Sequence, residues 1–328
     1  MRRLPKLTVI ADCRIACRQA RAAPGSGASG SGHLFLLFFL RRAAAGTYAM
    51  LSLGATILLM PLLILIAAIE GWWLQRRGRA YDWKAYWASF GDVLGRVGVA
   101  MLIKAGIIVA VLSAVWEWRI ATIAMDRWWH WALLVLGLDF FYYWKHRAEH
   151  RVRWFWLTHS VHHSSNQYNF SAAYRLGWTA RITGAAVCLA PLVWVGFPVP
   201  YVLGALALNL IYQFWLHTEL IDRLPRPLEW LLNTPAHHRV HHASNAEYID
   251  CNYGGVLIVF DRLFGTFRSA HADVPIRYGL VEPLHSYNPI RIALHAWVGM
   301  VRDLRAMRSW RERVKVLFGP PEFKPGKN

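Results

Sequence analysis

Nine histidines in this chain fall into four groups whose spacing suits metal binding: His146 and His150; His159, His162 and His163; His217; and His238, His241 and His242. The phrase His-x-x-His-His is written twice, as HSVHH over 159–163 and HRVHH over 238–242. On a helix, positions i, i+3 and i+4 share a face, so each phrase aims three imidazoles the same way. The HRAEH box sets His146 and His150 about 40° apart around a helix of 3.6 residues per turn. A lone buried histidine is ordinarily a hydrogen-bonded core residue, but four boxes at ligand spacing ask for another explanation. Imidazole suits iron, zinc and copper, and the set is poor in the carboxylates that magnesium and calcium favour. Nine donors exceed what one ion needs, whereas two ions with four or five ligands each, and open positions left over, use them economically.

Three further residues lie close enough in the chain to matter. Asp139 precedes His146 by two turns and is placed to accept a hydrogen bond from a ligand's free N–H, or else to join two helices. His237 adjoins the last triplet, as a tenth ligand or an outer donor. Glu149 lies off the His146/His150 stripe and is expected to pair with Arg153 at i+4. The remaining histidines, His33, His130, His271, His285 and His295, lack box spacing and read as ordinary polar residues.

The elements that must position these groups are apolar. Of 328 residues, 55% are hydrophobic, 18 are Trp, and the mean hydropathy is +0.24, which points to a membrane protein. The formal charge of +18 sits between apolar runs and beside no nucleic-acid motif, so membrane topology explains it better than nucleic acid does. The four cysteines, Cys13, Cys17, Cys188 and Cys251, form no CxxC pair and no disulfide framework. Apolar stretches at 49–69, 97–116 and 128–144 read as spans, and 182–216, broken by Pro191, Pro198 and Pro200, reads as a hairpin that leaves on the side it entered.

The expected architecture is all-α and polytopic, with about four to five membrane helices and a histidine-rich di-metal site on their cytosolic side. Its parts are an N-terminal extension over 1–49, transmembrane helices over 50–127, a catalytic domain over 128–270 and an amphipathic cytosolic tail over 271–328. Arg76, Arg77, Arg79 and Lys84 make the loop after the first span cytoplasmic, and the other spans then deliver every histidine box to that same face. That orientation conflicts with the N-terminal flank, where eight Lys/Arg stand against one acid before Met50; a start at Met50 removes the conflict.

The segments DFFYYWKHRAEH, WLTHSVHHSSNQYN, QFWLHTE, TPAHHRVHHASN and YIDCNYGGVLIVFDRLFGTF, from about Asp139 to Phe267, resemble the fatty acid hydroxylase and sterol desaturase superfamily of membrane di-iron oxygenases, and LFGPP over 317–321 resembles its bacterial branch. QFWLHTE and the last box are most similar to the alkylglycerol monooxygenase-like group. The resemblance implies iron-ligand roles for the nine histidines, two Fe ions with O2 as co-substrate, and hydroxylation or desaturation of a sterol, fatty acyl or ether lipid. It also implies a cytosolic helical cap, carrying the histidine-rich di-metal site, over a transmembrane stalk, in a bacterial inner-membrane protein with its site on the cytoplasmic side. No cytochrome-like segment or GxGxxG is present, so a separate electron donor is expected, whether a reductase, a ferredoxin or cytochrome, or a pterin. Cys251 departs from the family pattern, which expects a charged residue before NYGG.

Two other readings stand beside this one. HRAEH also matches HxxEH, the inverted zinc-peptidase box, with Glu149 activating water; this leaves seven histidines unexplained. A metal or haem carrier would pair histidines across helices near the bilayer midplane, whereas these boxes follow the ends of spans.

Overall fold

A computed structural model describes residues 59–102 and 107–323. The N-terminal extension, residues 49–58 of the first expected span, and Lys104 in the second lie outside the described residues. The regular structure in the described residues is helical, with only two isolated bridges, Leu232 to Leu257 and Ala243 to Tyr278. The expectation of an all-α protein is met.

Two described helices are long and apolar enough to cross a membrane, α1 (Leu59–Arg76) and, later in the chain, Val199–Leu216. The second expected span, 97–116, divides between α2 (Trp83–Leu102) and α3 (Ile107–Glu117). The third is the first part of a longer helix, α4 (Trp128–Arg151), whose 24 residues extend about 36 Å at 1.5 Å per residue. Leu134, Leu138, Tyr142 and His146 recur every four residues on its buried side, while Leu133, Val135 and Leu136 face outward and half-exposed.

Residues 182–216 do form a hairpin. A 3-10 turn (Ala185–Leu189) runs into α6 (Ala190–Val195), and α7 (Val199–Leu216) returns. Pro191 and Pro200 lie at the first turns of these helices, where a missing N–H costs nothing. Gly196 makes the reversal at φ 128°, and a Cβ there would lie 2.4 Å from the Ala121 carbonyl oxygen, so only glycine fits. Together α3, α4, the hairpin and α7 bury Leu112, Leu134, Leu138, Leu192, Val193 and Val202 as one apolar core.

The histidine-bearing elements grow from the end of that core. One extended residue, Val152 (φ −119°, ψ 116°), ends α4 and begins α5 (Arg153–His163), folding the HSVHH helix back against HRAEH. His217 caps the C-terminus of α7. After α8 (Arg226–Leu231), the seven-residue helix α9 (Pro235–His241), with His242 as its C-cap, carries HRVHH. The apolar strip 254–267 packs on α4. Its helix α10 (Val259–Leu263) sets Phe260 and Phe264 against Phe140, Tyr143 and Trp144. The basic C-terminal stretch forms α11 (Pro289–Ala306) and α12 (Trp310–Phe318), which cover α5 through Leu157, Met300, Met307 and Val316.

Candidate metal centre

The nine box histidines meet in two groups. His146, His150, His159, His163 and His241 each offer a ligand nitrogen in the first, and His162, His217, His238 and His242 in the second; within each group these atoms all lie within 4.8 Å of one another. The groups abut, with the His163 and His242 rings stacked at 4.3 Å between centroids.

The boxes do not each serve one group, as a shared helix face suggested. In HSVHH the i and i+4 pair, His159 and His163, enters the first group while His162 enters the second; in HRVHH, His238 and His242 enter the second and His241 the first. The physical reason is angular: i+4 lies about 40° from i on one side and i+3 about 60° on the other, so adjacent histidines diverge by about 100°. Each box straddles the line between the groups and helps build both.

Carbonyl oxygens fix the tautomers. His146 Nδ1 lies 2.9 Å from the Tyr253 oxygen, His241 Nδ1 2.8 Å from Cys251, His162 Nδ1 3.1 Å from Arg175 and His217 Nδ1 2.8 Å from Gln213. A carbonyl only accepts, so each Nδ1 carries the proton and each Nε2 of a neutral ring presents a lone pair. Yet His162 Nε2 faces His217 Nε2 at 3.1 Å, two lone pairs with no proton between them. His146 Nε2 meets His159 Nε2 at 3.0 Å, and Nε2 of His150, His241 and His242 is buried without a partner. A shared cation satisfies such a set where hydrogen bonding does not. The residues therefore fit a bound metal in each group, and the all-nitrogen donor set suits a transition ion.

The rings are held neutral by burial, which comes first among the causes for all nine. It lowers His162 and His241 to about 4 and holds His146, His150, His159, His163, His217, His238 and His242 well below the ordinary histidine value. Neutral imidazole is the ligating form.

Of three neighbours, Asp139 takes the second of its two expected roles, joining two helices, while His237 and Glu149 depart from expectation. Asp139 touches no imidazole: its carboxylate accepts the Val256 and Leu257 N–H groups at 2.8 and 2.7 Å and the Asn209 amide at 2.8 Å. The stripe brings it under the site, but the loop at 256 reaches it first. His237 enters neither group; its Nε2 turns 3.0 Å from the Glu229 carboxylate, and its ring meets Phe267 edge-on. It is i−1 to His238, and the same 100° step carries it away. Glu149 pairs backward with Lys145, which donates to both its oxygens at 2.8 Å, while Arg153 pairs with Asp303 at 2.5 Å. Held by Lys145 behind the His159 ring, Glu149 is not placed as the water-activating base of a zinc peptidase.

Sequence reasoning missed the groups that hold the ligands from behind. Loop 250–254 runs beside the first group, with Asp250 and Asn252 at φ 60° and 55°. It points the Cys251 and Tyr253 carbonyls at two ligands and sets the Asp250 carboxylate 3.9 Å from His150 Nδ1. Asp261 braces this loop by accepting the Tyr253 and Gly254 N–H groups. Because position 251 contributes its carbonyl, with its thiol donating to the Tyr248 carbonyl, the unexpected cysteine leaves the function of the loop intact. Asn209 and Gln213, four residues apart and leading to His217, were readable as polar residues in an otherwise apolar helix.

Residues 131–266 match the family model for fatty acid hydroxylase. Alkylglycerol monooxygenase of Homo sapiens is 41% identical over 182 residues, covering 56% of this chain and 40% of the relative. That of Caenorhabditis elegans is 37% identical over 223 residues, 65% of this chain and 43% of the relative. An ornithine lipid hydroxylase of Rhizobium tropici is 29% identical over 124 residues, 38% of this chain and 37% of the relative. The chain thus spans about 40% of the length of the curated relatives it matches. No solved structure matches it. All nine clustered histidines fall inside the matched segment, a fatty acid hydroxylase domain consistent with the fatty acid hydroxylase and sterol desaturase superfamily.

Proposed function

We propose that this chain is a membrane-bound oxygenase in which His146, His150, His159, His163 and His241 hold one iron and His162, His217, His238 and His242 a second, and that it hydroxylates a lipid C–H bond. The observation that carries the reading is the pair of abutting imidazole groups, braced by carbonyls and facing one another with lone pairs, inside a fatty acid hydroxylase domain. When bound, the iron pair supplies the redox chemistry that lets dioxygen and two electrons attack an unactivated C–H bond. The protein's own part is to keep nine rings neutral and correctly turned, and to exclude water: seven of the nine are buried.

Depth narrows the substrate. Arg147 lies 5.4 Å over the Trp144 ring, and Arg76 and Arg77 lie over Trp72 and Trp73 at the end of α1, aromatic–cation pairs suited to a membrane–water boundary. His146 follows Trp144 by two residues. A site at that level favours a C–H bond close to the lipid headgroup, such as one beside the ether oxygen of an alkylglycerol, over a position deep in the chain. Relatives named as monooxygenases and hydroxylases support oxygen insertion over desaturation, and glycerol- or amino-acid-based lipids over sterols. In this reading residues 50–127 anchor the enzyme, 128–270 form the catalytic domain and 271–328 cover it on the cytoplasmic side. The protein is a multi-pass inner-membrane protein, and a separate donor brings the electrons.

Metal analysis of the purified chain should give two irons; a single zinc or bound haem would overturn the assignment. Lipid profiles of cells with and without the gene should differ by a species that gains one oxygen. A loss of two hydrogens would redirect the reaction to desaturation, and unchanged profiles would sink the lipid reading.

A further inference from the structure

A buried polar row lies on the apolar side of the histidines, and the proposed chemistry does not use it. Asp139, Asn209 and Gln213 are 1%, 3% and 6% exposed. Asn209 donates to Asp139 at 2.8 Å, Gln213 donates to the Asn209 side-chain oxygen at 2.6 Å, and Tyr142 donates to the Gln213 side-chain oxygen at 3.1 Å. The row satisfies itself, which three polar groups in an apolar core must do.

Its ends are attached to the mounts of the two metal groups. At one end Asp139 accepts the N–H groups of Val256 and Leu257, just after the loop whose Tyr253 carbonyl holds His146. At the other, the Gln213 backbone carbonyl holds His217. Tyr142 is one turn before His146 on α4, as Gln213 is one turn before His217 on α7. Gly255 shows how closely the parts fit: a Cβ there would lie 2.5 Å from the Asn209 amide nitrogen and 2.7 Å from Asp139. The apolar core already packs α4 on α7 through Leu138, Val202 and Ala205, so the row is not needed simply to join the helices.

We propose that Asp139, Asn209 and Gln213 are positioning residues forming a strut that sets the separation of the two metal sites, by tying the mount of His146 to that of His217. The inference rests on reading the histidine groups as metal sites. It is asymmetric: His146 has a second brace through Asp261 and its loop, whereas the carbonyl that holds His217 belongs to Gln213 of the row itself. Loss of the strut therefore weakens the second site and the communication between the ions, and spares the first.

The test uses the full chain, metal-free in detergent, titrated with cobalt(II). Wild type should take up two ions. Asn209→Leu and Gln213→Met, which nearly conserve volume, should weaken the second ion about 10-fold, at the low end for loss of groups that orient ligands, and change the first less than about twofold. After loading with iron, magnetic coupling between the two ions, read by Mössbauer spectroscopy, should decrease. The double variant should be little worse than the poorer single one, since the row acts as a unit. Gln213→Glu keeps the oxygen for Tyr142 and loses the donor to Asn209 and, checked for folding by circular dichroism, should show a severalfold loss at the second site. Val202→Ala, a buried change outside the row, should lower the melting temperature with both affinities unchanged. Unchanged affinities in the row variants, or parallel loss at both sites in step with stability, would overturn the strut alone. Failure of wild type to bind a pair of ions would overturn the metal reading and the strut with it.

Discussion

The two histidine groups use the same residue type and share both His-x-x-His-His boxes, yet their surroundings differ. The first has two carboxylates behind it, Asp250 at 3.9 Å from His150 Nδ1 and Glu149 at 3.8 Å from His159 Nδ1, together with the carbonyls of loop 250–254. The second has carbonyls alone, from Arg175 and Gln213, and Tyr168 stacked on His217 at 5.5 Å between centroids. A carboxylate attracts a dication about twice as strongly as a proton at the same place. With metal bound as proposed, the first group would be the tighter site and the better host for a more oxidised ion, and the second the one whose occupancy would depend on mechanical support.

Removing a ligand should break the comparison outright. His217→Ala should leave one tightly held ion per chain and lower lipid hydroxylation by more than about 100-fold, beyond the range of changes to supporting groups; two retained ions would show that the second group is not a site. Asp261→Asn, which weakens the brace on the Tyr253 carbonyl, should reduce affinity at the first site about 10-fold or more and spare the second, read by the same titration.

Acid should separate the groups by degree. Burial lowers the folded-state histidine values below the unfolded 6.5, so the unfolded chain binds protons first as pH falls. Stability of the metal-free protein is full above about 6.5 and is lost toward about 4, the level at which His162 and His241 titrate. Melting temperatures from pH 8 to pH 5 should fall accordingly, and the carboxylate-backed first site should keep its ion to lower pH than the second. Glu149→Gln should leave two ions bound and activity within about 10-fold, while destabilising the chain because Lys145, itself partly buried, loses its partner; complete loss of activity in folded protein would revive the peptidase assignment. The smallest effect belongs to Tyr168→Phe, which keeps the stacked ring and removes one hydrogen bond to the Leu216 carbonyl, at about 1 kcal/mol. Thermal melting should register it with metal content unchanged.

How much of this was readable beforehand follows from the range of each interaction. Helical periodicity, apolar runs and prolines act over a few residues, so the all-α fold, the continuity of α4 into HRAEH and the hairpin at Pro198 were legible, as was the set of nine histidines. The partners of Asp139, Glu149 and His237 were not, because a side chain takes the nearest group in space: a loop more than a hundred residues away reached Asp139 first, and Lys145 reached Glu149 before Arg153 did.

The residue types and their spacing determined by themselves that imidazoles would be gathered at the ends of apolar helices. Only the tertiary structure decided which histidine joins which group, and that the i+3 member of each box crosses to the other. Helix phase sets the directions, but the one-residue junction at Val152 and the short α9 decide where those directions converge.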